Sequence, residues 1–141
     1  MQPRASLPLL PPAPPAATGV AAATGVAAAA MRPSVALMKA LADENRLRIV
    51  ALLAGGELCV CHIASALELS QPNASQHLTV LKNAGVVEGE RRGSWIHYRL
   101  LRGVDPARDR VVDAVLEGLD AEGAEADRRT LDGLAGAVTC R

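Results

Sequence analysis

"GELCVCHIASALELSQPNASQHLTVLKNAGVVEGERRGSWIHYRL", Gly56 to Leu100, holds two helix-like runs, a polar break and a hairpin pattern. In the first run Ile63, Ala64 and Leu67 recur at helical spacing. Ser70 is a good N-cap for the second, and Pro72 is tolerated in a first turn. That run carries Ala74, Leu78, Leu81 and Val80 on its apolar side, and Gly85 ends it. Val86 to Glu88 then begin one strand, Arg92-Gly93-Ser94 form a turn, and Trp95 to Leu100 alternate in a second strand. Helix, short turn, helix and hairpin spell a helix-turn-helix with a wing. A helix fits the DNA major groove, and a hairpin tip reaches the adjacent minor groove or backbone.

Outward from this stretch the chain stays helical. Val35, Met38, Leu41 and Ala42 have helical spacing. Asp43 reads as the cap of a helix carrying Leu47, Val50, Ala51 and Ala54, which stops at Gly55-Gly56. The next helix is expected to start near Glu57 to Val60. A fifth spans Asp105 to Leu119, with Val111, Val112, Val115, Leu116 and Leu119 on one face. The expected fold is mainly α with a β-hairpin wing, about five helices, and dimeric. Three segments follow: residues 1–33 as a disordered Ala/Pro-rich tail, 34–119 as the winged DNA-binding domain, and 120–141 as a C-terminal tail with a short helix around Arg128 to Leu134. "ATGVAA" occurs twice in the first segment, which lacks the large apolar side chains a core needs. Met31 offers an alternative start of translation.

Composition fits one domain: 141 residues, half of them apolar. The core must be aliphatic, because Trp95 and Tyr98 stand in for all Phe, Tyr and Trp. The net charge is zero, yet Lys82, Arg91, Arg92, Arg99, Arg102, Arg108 and Arg110 cluster before an acidic stretch from Asp113 to Asp127. Such a block suits an anionic partner; an ordinary solvated surface is the competing reading. Three cysteines, an odd number, argue against a disulfide scaffold and for a reducing cytoplasm. Prolines in "PLLPPAPPAA" break any secretory apolar core, and no stretch is apolar enough to span a membrane.

On the second helix of the unit, Gln71, Asn73, Ser75, Gln76 and His77 oppose the apolar face. Asn and Gln pair bidentately with adenine edges, and Ser serves any base. Lys82 and Thr79 suit phosphates, and Arg91 and Arg92 at the hairpin turn suit a phosphate or minor-groove contact. An amphipathic surface helix would carry the same pattern without binding DNA.

Cys59 and Cys61 head the first run. Thiolates are soft ligands, and a helix start enriches the thiolate, with His62 helping if protonated. Residues i and i+2 do not face each other on a regular helix, but do in an extended segment. Two sulfurs would therefore grip one ion only if this turn unwinds, which would distort the helix supporting the DNA reader. Two small core residues are the plain alternative. The spacing is not that of a zinc finger.

"ELCVC" followed by "SQPNASQHLTVLKNAGVVEGERRGSWIHYRL" and preceded by "LADENRLRIVALL" resembles the ArsR/SmtB family of bacterial winged-helix repressors, over about Val35 to Leu119. The "ELCVC" form resembles its arsenite/antimonite-sensing branch. The resemblance implies a homodimer joined through the first and last helices, bound to double-stranded operator DNA. As(III) or Sb(III), held by Cys59 and Cys61, would release the DNA; no organic cofactor is implied. Two departures stand out: His62 replaces an Asp, and Ala64 replaces a third Cys. Cys140, or an outside thiol, is the remaining candidate for a third sulfur. A cadmium/lead-sensing branch carries further cysteines in its N-terminal arm, and this chain has none before Cys59. The zinc sites of some members need His on the last helix, and Asp105 to Leu119 has none. The competing functions are a thiol redox, persulfide or Cd/Pb-responsive repressor of the same fold and a dithiol oxidoreductase. The latter normally needs C-x-x-C beside a βαβ pattern. An enzyme is not expected.

Overall fold

The computed structural model describes residues 20–136, with side chains from residue 31 onward. The first and last cysteine-free or cysteine-bearing tails, including Cys140, lie outside the described residues. Two units divide at Arg32/Pro33. Helix α1, Val20–Leu41, runs through Pro33 and supplies Leu37, Ala40 and Leu41 to the core of the second unit.

That second unit holds every site residue described below. Helix α2, Glu44–Ala54, starts at Asp43, whose carboxylate accepts from the Arg46 N–H at 3.0 Å. This hydrogen bond holds the Asp43 carboxyl below its usual range, assisted by the Arg46 charge and opposed by partial burial. Gly55 and Gly56 end the helix, Gly56 at φ 140°. The chain then enters strand β1, Leu58–Cys59, before helix α3, Val60–Ala66. The helix thus starts at the far end of the expected span, Glu57 to Val60. Backbone pairing with the wing holds Leu58 and Cys59 extended, a long-range interaction that local periodicity does not carry.

Helix α4, Gln71–Asn83, starts at Ser70, whose Oγ accepts from the Asn73 N–H at 3.3 Å. Ala74, Leu78 and Leu81 are fully buried, as their i, i+4, i+7 spacing requires. Val80 is 41% exposed, so it belongs to the outer face and not to the apolar one. At the C-terminus the N–H of Gly85 bonds Lys82 O and that of Val86 bonds Leu81 O, both at 2.9 Å. This is a Schellman closure, which needs the left-handed conformation that Gly85 adopts at φ 72°. Arg108 locks the turn from outside by donating to Gly85 O at 3.1 Å.

The wing is strand β2, Val87–Arg92, and strand β3, Trp95–Leu100, with Arg92 opposite Trp95 across the two-residue turn Gly93-Ser94. Gly89 lies opposite Tyr98, and a Cβ there would stand 2.9 Å from the ring of Tyr98. The glycine therefore makes room for the buried tyrosine, whose pKa burial raises. Strand β1 pairs with the other edge of β3, giving the order β1-β3-β2.

Helix α5, Pro106–Gly118, begins at Asp105, as its sequence implies. Beyond it the structure differs from the expected tail. Helix α6, Ala121–Leu134, is capped by Asp120 and packs on α2 and α3. Asp127, buried, accepts from Arg48 at 2.6 and 2.8 Å. The composition of this stretch is polar because much of its surface faces solvent. A single carboxylate reaching back 79 positions to an arginine is not visible in local sequence. Among the described residues there are six helices and three strands, and no helix is long and apolar enough to cross a membrane.

Candidate functional site

The reader surface comes first. On α4, Gln71, Asn73 and Gln76 are exposed and Ser75 is half-buried, all on the side opposite Ala74, Leu78 and Leu81. Lys82 is exposed in the last turn. His77 differs from its neighbours: it is half-buried, with Nδ1 3.7 Å from Asp43 Oδ1, and so points back toward the start of α2. Thr79 spends its hydroxyl on Ser75 O at 2.9 Å.

The two wing arginines are not equivalent. Arg91 is exposed and donates only to Gly93 O, at 3.2 Å, across the turn. Arg92 ion-pairs with Glu90 at 2.9 Å and with Glu57. His97 Nδ1 also lies 3.6 Å from Glu57. Arg99 pairs with Glu88 at 2.6 Å, and Arg102 with Asp113 at 2.8 Å. Among the described residues, much of the basic block is thus neutralised within the chain, and Lys82, Arg91 and Arg110 are its exposed cations that make no ion pair. Sequence reasoning did not find Glu57 or His97, because their partners come from distant positions.

The cysteines meet at the junction between β1 and α3. Cys59 is the N-cap of α3, extended at φ −72° and ψ 148°, and makes no side-chain cap hydrogen bond. Its sulfur is buried and lies 2.9 Å from that of Cys61. The expected obstacle, that i and i+2 diverge on a helix, does not arise, because Cys59 stands outside the helix. No unwinding is needed to bring the sulfurs together. His62 Nδ1 is 4.0 Å from Cys61 Sγ. Cys59 pairs with His97 across the sheet, so the sensor-like pair and the wing share one backbone ladder.

A capped second helix, a hairpin with an exposed arginine at its tip and a cysteine pair joined to that hairpin make up a winged helix-turn-helix unit. Residues 43–89 match the family described as bacterial regulatory protein, arsR family. The chain is 46% identical over 84 residues to the arsenic resistance transcriptional regulator ArsR1 of Pseudomonas putida, covering 59% of this chain and 62% of that protein. To the arsenical resistance operon repressor of Escherichia coli K12 it is 44% identical over 80 residues, covering 56% of this chain and 68% of that protein. Among solved structures, a homodimeric winged helix-turn-helix DNA-binding domain from Mycobacterium bovis superposes with a TM-score of 0.56 at 36% identity, covering 63% of this chain and 80% of that one. The chain belongs to the ArsR family of bacterial regulatory proteins. It spans 62% of the length of its Pseudomonas relative.

Proposed function

We propose that this protein is a cytoplasmic, homodimeric repressor that binds operator DNA and is released when As(III) or Sb(III) binds Cys59 and Cys61. The observation that carries this reading is the 2.9 Å separation of the two sulfurs at the point where β1, a strand of the wing sheet, becomes α3. Arsenic regulators among the relatives support the choice of inducer. Capture of one ion by both sulfurs alters Cys59, and Cys59 is laddered to His97 of the wing. Glu57, two residues earlier, holds Arg92. Movement at the cysteines therefore reaches the wing through backbone pairing and an ion pair.

In this reading Gln71, Asn73, Ser75 and Gln76 face base edges, while Lys82 and Arg91 contact phosphate. Arg92 contributes only after exchanging Glu57 and Glu90 for DNA. The homodimer uses α1 and α5. Val35 and Met38 are exposed on α1, and Val111, Val115 and Leu116 are only half-buried on α5, which together leave an apolar surface for a second copy. The two-fold dimer doubles the operator length that one reader helix addresses.

Operator binding followed by fluorescence anisotropy, with and without arsenite, tests the function. Wild type should be released. Cys59→Ser and Cys61→Ser should bind DNA and stay bound. Release of Cys59→Ser as readily as wild type would mean the pair is core packing. Thiol redox sensing is the second reading, favoured by the closeness of the sulfurs; release by peroxide but not by arsenite under reducing conditions would select it.

A further inference from the structure

His77 is carried by the reader helix but turned away from the reader surface, and its spacing explains why. Ala74, His77, Leu78 and Leu81 fall at i, i+3, i+4 and i+7, so His77 takes a place at the edge of the stripe that faces the core. Its side chain is 15% exposed, and its Nδ1 lies 3.7 Å from Asp43 Oδ1. The same Oδ1 caps α2 by accepting the Arg46 N–H. The other oxygen, Oδ2, lies 3.8 Å from the Arg46 guanidinium. Arg46 in turn donates from Nε to Ala40 O at 2.5 Å and from Nη2 to Lys39 O at 3.1 Å. These carbonyls belong to the last turn of α1, where a helix has no N–H of its own to offer them.

One carboxylate and one arginine therefore join the end of α1, the start of α2 and the inner edge of α4. The charges suit the helix ends, a cation at the C-terminus of α1 and an anion at the N-terminus of α2. Arg46 is 17% exposed, so the node is largely withdrawn from water. Aliphatic packing has no direction, so the stripe of Ala74, Leu78 and Leu81 alone leaves α4 some freedom to roll about its axis. A polar contact at one edge of that stripe removes the freedom. Asn73 and Gln76 directly precede Ala74 and His77, so any roll that moves His77 moves them too.

We propose that His77 is a positioning residue: through Asp43 and Arg46 it fixes the rotation of α4 against the ends of α1 and α2, so that Gln71, Asn73, Ser75 and Gln76 meet base edges together. The inference rests on the reading of α4 as the DNA reader and adds a residue that serves it without touching DNA. Because α1 belongs to the proposed dimer face, the node also connects that face to the reader.

The test uses the full-length protein and two DNA probes, a duplex selected by wild type from a randomised library and an unselected duplex. His77→Ala should weaken binding of the selected duplex by at least about tenfold, the discrimination carried by one good base contact. Its affinity for the unselected duplex and its salt slope should stay those of wild type, since no phosphate contact is lost. His77→Asn, which keeps an N–H donor on a short side chain, should recover most of the loss. Asp43→Ser keeps an N-cap but cannot reach His77, and should reproduce the loss. The double variant should lose no more than either single one. Circular dichroism and thermal melts check that each variant folds. Equal weakening on both duplexes with a salt slope lower by about 1 would show a direct phosphate contact and overturn the proposal. Additive losses in the double variant would overturn it as well. Gln76→Ala separates the two readings. Unchanged binding of the selected duplex by that variant would sink the reader assignment itself, whereas a loss there with none in His77→Ala would overturn only the positioning role.

Discussion

Two helices of the DNA-binding unit begin very differently. Helix α4 begins at Ser70, whose hydroxyl caps the Asn73 N–H. Helix α3 begins at Cys59, whose side chain makes no cap hydrogen bond and lies against the sulfur of Cys61. Both helices bury a full apolar face, Ala74, Leu78 and Leu81 in one and Val60, Ile63, Ala64 and Ala66 in the other. The reader is thus fixed at its start, whereas the thiol-bearing helix is held by packing and by the short β1 ladder. Under the proposed function, a capped reader helix next to an uncapped turn suits a ligand-driven switch, since a ligand shifts most easily the segment that has least to lose.

The largest effect should come from what the two helices share. Leu78→Ala and Ile63→Ala each remove a side chain with no solvent exposure and should cost about 2–5 kcal/mol, measured by urea denaturation. A loss confined to one of them would mean that the two faces are not equally part of the core. A smaller change separates the starts. Ser70→Ala should cost about 1 kcal/mol, and should speed hydrogen exchange of the Asn73 amide. In wild type the amides of Cys61 and His62 should already exchange faster than that of Asn73. Equal protection at both starts would break the contrast drawn above.

Within the wing, Arg91→Ala should weaken operator and non-operator DNA alike and lower the salt slope of binding by about 1. Arg92→Ala should do less, because its charge already meets Glu57 and Glu90. A larger effect from Arg92 would show that DNA displaces those carboxylates. The smallest expected effect is acid sensitivity at Asp43. Its folded pKa is depressed, so its cap stabilises α2 fully above the unfolded value and loses that contribution as pH falls through the folded one. Asp43→Asn should flatten the acid side of the thermal-stability profile, while wild type should not.

The helix-turn-helix and its wing were legible because their signals are local: Ser70 and Asp105 as caps, Gly85 as a stop, period 3.6 through Ala74, Leu78 and Leu81, and period 2 from Trp95 to Leu100. The same locality limited the reading elsewhere. Val80 fits an apolar pattern yet faces outward, because the core reaches only one stripe of α4. His77 sits among the reader residues yet turns to Asp43, a partner 34 positions away in the chain. Helix α6 was read as mostly tail, since the residue that ties it down is a buried carboxylate paired with Arg48 and not an apolar stripe.

The sequence by itself determined the class of fold, the reader helix, the wing and the presence of a thiol pair. Each of these follows from hydrogen bonding or side-chain periodicity within a few residues. Only the tertiary structure decided how the thiols meet. Pairing of Leu58 with Tyr98 and of Cys59 with His97 keeps Cys59 extended, so its sulfur faces that of Cys61 where a helix would have parted them. The same packing decided that Arg92 is held by Glu57 while Arg91 is exposed. Strand pairing and ion pairs between distant positions depend on where the folded backbone brings them, and no local pattern encodes that distance.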